Sequence, residues 1–198
     1  AVMGFETEAE LYKSGFISVA GIDEAGRGPL AGPVAAAAVI LNPLDIPEGI
    51  NDSKKLSEKK REALFEEIKA RAKVSCALVW QDEIDEINIL NATKKAMALA
   101  VRGLCEKPDF LLIDGNFTIG EIKDERAVIG GDAKILSIGA ASIIAKVTRD
   151  RLMKEIDLEC PEYNFKKHKG YGTKEHIELL KKYGPSKYHR KSFLTKIL

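Results

Sequence analysis

The sequence predicts an α/β fold: a mixed β-sheet flanked by helices, with a helical C-terminal extension. Three observations lead there. Two extended runs, Ile17–Asp23 and Val34–Leu41, stand close together near the start and are joined by a glycine- and proline-punctuated turn. After them, short apolar runs alternate with segments of helical periodicity. The chain then closes on helical signals alone, and this order of elements describes a sheet covered by helices.

Ile17–Asp23 is strand-like and ends at a turn running from Ala25 to Pro33. Val34–Leu41 is rich in alanine, but Pro33 and Pro43 bound it, so its length and flanks favour a buried strand over a helix. The pair reads as a hairpin with the glycine-rich loop at its tip. Asn42–Lys55 is a loop. Ser57 is the N-cap of a helix whose apolar stripe is Leu64, Phe65, Ile68 and Ala72. Ser75–Trp80 is a short strand, and Asp82–Leu104 a long helix with Ile84, Ile87, Leu90, Met97 and Val101 near one face. Phe110–Asp114 is a buried strand ended by Gly115, and Ala127–Ile129 is a further extended piece. A helix begins at Ile135 or Ser137 and reaches about Leu158, and a last one spans Lys174–Tyr183 until Gly184-Pro185 stops it.

At 198 residues and 45% hydrophobic, the chain has enough apolar material for one substantial core. Its net charge of +1 hides an asymmetry. From Lys166 to Leu198 there are 10 Lys/Arg against 2 Asp/Glu and all three histidines, leaving an acidic body of 21 basic and 28 acidic residues. An acidic body with a basic end joins metal-binding carboxylates to a polyanion-binding surface, although a solvated lysine-rich helix would give the same count. Cys76, Cys105 and Cys160 are odd in number and widely spaced, which excludes a disulfide framework or a CxxC zinc site. The longest apolar run, Val34–Leu41, is too short to cross a bilayer, and the N-terminus carries acids where a signal peptide carries bases. The expected location is therefore cytoplasmic. Charged residues at 31% beside a single glutamine, Gln81, lean towards thermophily.

Three places put acids at the edges of rigid elements. Asp23-Glu24 sits where a strand becomes a glycine turn, Asp114 ends an apolar strand, and Asp132 follows Gly130-Gly131 just before a helix. Fixed carboxylates suit Mg²⁺ or Mn²⁺, which prefer oxygen ligands. Two such ions about 4 Å apart would bracket a scissile phosphate. Each acid alone has a plainer reading, since Asp caps helices and Asp-Gly makes turns. Gly26-Arg27-Gly28 adds a guanidinium between two residues that let backbone approach a ligand closely. It is not a P-loop, because no Lys-Ser/Thr follows at the required spacing.

GIDEAGRGPLAGPV (Gly21–Val34) resembles the signature of ribonuclease HII, the type 2 ribonuclease H family. NDSKKLSEKKRE (Asn51–Glu62), LLIDGN (Leu111–Asn116), GDAKILSIGAASIIAKVTRDRLM (Gly131–Met153), HKGYGTKEH (His168–His176) and GPSKYHRKSF (Gly184–Phe193) resemble further blocks in the same order. The resemblance covers nearly the whole chain from Val19. It implies a ribonuclease H-like catalytic domain over 1–160 and a helical substrate-binding extension over 161–198. It also implies that Asp23, Glu24, Asp114 and Asp132 bind the catalytic metals, with Asp23 bridging. Gly26, Arg27 and Gly28 match the loop that reads the 2′-hydroxyl at an RNA–DNA junction, and Tyr171 matches the tyrosine that stacks on the sugar beyond it. Ser53, Lys54, Lys146, Arg149, Lys169 and Arg190 lie in matching blocks as phosphate contacts, which orient a duplex without reading sequence. Gly130 stands where the family has a basic residue, which removes one positive charge beside Asp132.

The implied enzyme, a monomer, hydrolyses the RNA strand of RNA–DNA hybrids and incises 5′ of ribonucleotides embedded in duplex DNA. It uses two Mg²⁺ or Mn²⁺ ions and leaves 3′-hydroxyl and 5′-phosphate ends. Two other classes compete. A DNA-specific acid-cluster nuclease would have no use for 2′-hydroxyl sensing. A hybrid-binding module without activity would gain nothing from clustering negative charge beside phosphates.

Overall fold

A computed structural model describes residues 4–198. Five strands form one mixed sheet in the order β3-β2-β1-β4-β5. They are β1 (Val19–Ala25), β2 (Val34–Leu41), β3 (Ala72–Val79), β4 (Phe110–Asp114) and β5 (Glu125–Val128). The first three pair antiparallel, whereas β4 runs parallel to β1 and β5 parallel to β4. The sheet is flanked by helices, as the alternation of periodicities predicts.

Among the described residues, seven α-helices accompany it: α1 (Glu6–Lys13), α2 (Glu58–Arg71), α3 (Gln81–Ile87), α4 (Ile89–Arg102), α5 (Leu136–Glu159), α6 (Phe165–His168) and α7 (Lys174–Tyr183). Every residue of β2 is buried, because helices cover both faces of the sheet. Its side chains alternate: Ala36 and Ala38 pack towards α4, Ala37 and Val39 towards α5 and α2. The run of alanines lets both helices approach closely. Gly21 does the same on β1, where a Cβ would collide with the backbone of Ser137 and Ile138 in α5. Gly21→Ala is therefore expected to destabilise by about 2 kcal/mol or more, lowering the melting temperature by at least ~4 °C in a thermal unfolding scan.

Several boundaries differ from the sequence reading. The predicted helix over Asp82–Leu104 is two helices, broken at Asn88, which adopts φ 72°. Its side chain accepts the Asn91 N–H at 3.0 Å and caps α4. β3 starts at Ala72, so α2 passes into it without a loop. Ile50–Lys55, read as loop, forms a 3₁₀ turn. The short α1 was not foreseen. It is fixed through Glu8, whose buried carboxylate accepts the Ser137 N–H at 3.0 Å and caps α5.

The segment 161–198 packs on the rest of the fold through two apolar clusters. Tyr163 and Phe165 pack with Ala31 and Met153, and Leu180 and Leu194 pack with Leu30. Its contacts thus converge on the loop between β1 and β2.

Candidate active site

Parallel pairing of β1 with β4 brings the first two acidic positions together. The register aligns Ile22 with Ile113, so Asp23 and Asp114 emerge side by side at the carboxyl ends of neighbouring strands. Glu24 follows at once, and its N–H donates to Asp23 Oδ1 at 2.8 Å. Asp23, Glu24 and Asp114 present oxygens that all lie within 4.8 Å of one another. Asp132 comes in from the turn Gly131–Ala133 and donates its N–H to Asp114 Oδ1 at 3.1 Å. Its carboxylate turns to Lys54, whose Nζ is 3.0 Å away. Three of the four predicted acids therefore converge, and the fourth is tethered beside them by its backbone.

The electrostatics are those of a site built for cations. Asp23 is only 4% exposed. Its carboxyl is pushed well above the usual range by burial, and then by the charges of Asp114 and Glu24. Burial also raises Glu24, against the opposing pull of its hydrogen bond with Asp23 and of Arg27. Arg27 lies 3.8 Å from Glu24. Glu24 Oε2 is buried and has no hydrogen-bond partner among the described residues. An all-oxygen, converging donor set with an orphaned carboxylate oxygen fits a hard divalent cation.

Beside the acids lies an open cavity of about 330 Å³, bordered by Glu24, Gly26, Arg27, Gly28, Lys146 and Tyr171. It continues along α5 into a second depression of about 240 Å³ that includes Ser53, Lys54 and Lys146. The predicted loop, the tyrosine and four of the predicted phosphate contacts, Ser53, Lys54, Lys146 and Arg149, thus border one cleft. A larger depression of about 580 Å³ opens at the other end of the sheet, near Leu41, Arg71 and Glu106, and contains none of them. Tyr171 is 45% exposed and borders the cleft opposite Gly28. Lys146 pairs with Asp150 at 3.2 Å while remaining half-exposed.

Arg149, Arg190 and Lys169 are placed differently. Both arginines are buried, at 1% and 0% exposure, and their donors are directed to backbone carbonyls. Arg149 reaches Pro33, Lys169 and Ala31, and Arg190 reaches Gly26, Arg27, Pro29 and Gly32. Arg190 lies behind the loop, and Arg149 is set into the wall of the cleft with its donors taken by those carbonyls. Lys169 folds its ammonium onto the Lys166 carbonyl.

The sequence reading had no role for the histidines. His168, His176 and His189 are all buried, and they hold the loop that carries Tyr171. His176 Nδ1 bonds the Tyr171 carbonyl at 2.8 Å, and His176 Nε2 meets His189 Nε2 at 2.8 Å. Their one sequence signal was placement: all three fall within the basic stretch, close after Tyr163 and Phe165.

A five-stranded mixed sheet with carboxylates gathered at the ends of its parallel strands defines a nuclease of the ribonuclease H class. The family model for ribonuclease HII matches residues 20–196. A ribonuclease HII of Acetivibrio thermocellus is 58% identical over 189 residues, covering 94% of this chain and 73% of its own. That of Caldicellulosiruptor bescii is 55% identical over 195 residues, covering 98% and 95%. The crystal structure of the ribonuclease H2 from Pyrococcus horikoshii OT3 superposes with a TM-score of 0.76 at 29% identity, over 91% of this chain and 97% of that one. The chain belongs to the ribonuclease HII family. It is a ribonuclease H enzyme of a divalent-metal-dependent family that acts on RNA–DNA substrates. Among the described residues, no helix is long and apolar enough to cross a membrane.

Proposed function

We propose that this enzyme hydrolyses the RNA strand of RNA–DNA hybrids and incises on the 5′ side of single ribonucleotides embedded in duplex DNA. Its products carry 3′-hydroxyl and 5′-phosphate ends. The observation that carries this reading is the common cleft: the acid cluster, the Gly26-Arg27-Gly28 loop and Tyr171 border one open surface. The acids supply chemistry common to many nucleases. The loop and the tyrosine supply a wall that senses ribose, since the 2′-hydroxyl is what separates RNA from DNA.

Asp23, Glu24 and Asp114 would hold two Mg²⁺ or Mn²⁺ ions, with Asp23 as their shared ligand, and Asp132 would join them on releasing Lys54. Such ions would supply activation of a water and stabilisation of the leaving oxygen. Lys54 is then free for the phosphate backbone, together with Ser53 and Lys146. Arg27, exposed at 41%, is free to swing from Glu24 to a phosphate. One copy of the chain carries every residue this scheme uses, which supports a monomer, and a cytoplasmic location is the matching proposal for an enzyme acting on DNA.

The test is a DNA duplex with one ribonucleotide, beside all-DNA and all-RNA duplexes, in Mg²⁺ and in Mn²⁺. Incision is expected 5′ of the ribonucleotide, and equal cutting of the all-DNA duplex would sink the assignment. Failure to cut any duplex with any divalent metal would favour a binding module. Tyr171→Ala should lower turnover of the single-ribonucleotide duplex about tenfold or more, in line with the ~1–3 kcal/mol of an aromatic stacking contact. The side chain is half-exposed, so the melting temperature should be nearly unchanged. An unaltered rate would make Tyr171 an anchor of its turn rather than a wall of the cleft.

A further inference from the structure

We infer that Arg149 and Arg190 are positioning residues that aim the backbone amides of the Gly26-Arg27-Gly28 loop into the cleft. The inference rests on the proposed reading of that loop as the ribose-sensing surface. A trans peptide points its C=O and N–H in opposite directions. Arg190 draws the Gly26 carbonyl inward at 2.6 Å and the Arg27 carbonyl at 3.0 Å. The following N–H groups, on Arg27 and Gly28, must then face away from the guanidinium. The pattern continues along the loop. Pro29 and Ala31 carbonyls go to Arg190 and Arg149 at 2.9 and 2.8 Å, and the amides after them, Leu30 and Gly32, reach the Gly170 and Tyr188 carbonyls. Among the described residues, only the Arg27 and Gly28 amides in this alternating series donate to nothing. They border the cleft beside Tyr171.

Gly26 fixes the geometry from the other side. It holds φ 93°, and a Cβ there would collide with the Arg149 side chain. Arg149 also stands 5.8 Å from the Tyr171 ring centre, so one guanidinium braces both the loop and the aromatic wall. Neither arginine pairs with a carboxylate among the described residues, so each brings an uncompensated positive charge beneath amides that would face an anionic backbone. A lysine keeps that charge but loses the planar fork that holds three carbonyls at Arg149 and four at Arg190.

The test uses Arg190→Lys and Arg149→Lys, with steady-state kinetics on the single-ribonucleotide duplex. Binding to that duplex and to its all-DNA counterpart is measured by fluorescence anisotropy in Ca²⁺. The expected result is a KM raised about tenfold with kcat within about threefold of the parent, because amides that hold the ground state act on binding. Preference for the ribonucleotide-containing duplex in the anisotropy assay should fall by a similar factor. An unchanged KM and preference, or a fall in kcat alone, overturns the inference. So does failure of both variants to fold, which would make the arginines supports of the core. The parent enzyme is the control: if it does not itself prefer the ribonucleotide-containing duplex, the reading of the loop fails, independently of how the arginines act.

Discussion

Asp23→Asn is expected to lower cleavage by three orders of magnitude or more, about 4 kcal/mol of barrier, while raising the melting temperature of the metal-free protein. Both effects come from one position. Asp23 is buried at the end of β1, with the Asp114 and Glu24 carboxylates beside it. Burial and those two charges raise its pKa. A carboxyl with a raised folded pKa adds stability below its unfolded value and loses it as pH rises through the folded one. At neutral pH without metal, Asp23 is therefore a net cost to the fold. The amide is neutral and nearly isosteric, so the repulsion goes, and each kcal/mol relieved raises the midpoint by ~2–4 °C. Divalent cations do for the parent what the substitution does for the variant, since a ligand that binds only the folded state stabilises it. Calorimetry with and without Mg²⁺ should show a metal-dependent rise in the parent and a much smaller one in Asp23→Asn. Equal rises would remove Asp23 from the metal site.

That site was half legible in the sequence. Local signals marked the acids as candidates, because each ends a strand or follows a glycine pair, and they predicted β1, β2, β4 and α5 from apolar runs, proline or glycine flanks and helical periodicity. Their convergence was not local: Asp23 and Asp114 meet only because β4 pairs parallel with β1 across a long crossover. The resemblance supplied what periodicity could not. Arg149 and Arg190 show the opposite failure. Both lie in blocks that match the family and read there as phosphate contacts, and the usual exposure of arginine supports that. All but one of their partners are carbonyls 116 to 164 residues away in sequence, and the nearest, that of Lys169, is 20 away, so no local window shows them. The break at Asn88 was readable in principle, since Asn is a strong cap, but the apolar stripe runs across it without a gap in phase. The helix α1 carries too few apolar residues to declare itself, and a buried carboxylate binds it to the rest.

Acid should unfold this protein through its three histidines, and their hydrogen bonds show why. The Ser186 N–H donates to His189 Nδ1 at 2.9 Å, so that nitrogen carries no proton. His189 Nε2 must then donate to His176 Nε2, and His176 Nδ1 to the Tyr171 carbonyl. His168 is fixed likewise: its Nδ1 accepts the Gly170 N–H at 3.1 Å, and its Nε2 donates to the Tyr163 carbonyl. An added proton on His176 or His189 sets two N–H groups against each other, and His168 stacks on His176 at 4.2 Å. Burial accordingly pulls His176 down to about 4 and, with the neighbouring His176, His189 to about 3. A folded pKa below the unfolded value of ~6.5 means stability that is complete above pH ~6.5 and lost as pH falls through the folded values. The loss is on the order of 3 kcal/mol for His176 alone, and less than twice that for the pair, since they share a hydrogen bond. The acid cluster works in the other direction, because protonation relieves its repulsion. Melting temperatures of the parent should fall between pH 6.5 and 4. The double variant His176→Phe, His189→Phe should melt lower at pH 7 yet show a much shallower slope. If the slope is unchanged, the acid sensitivity belongs elsewhere in the fold and the relay beneath Tyr171 is not its cause.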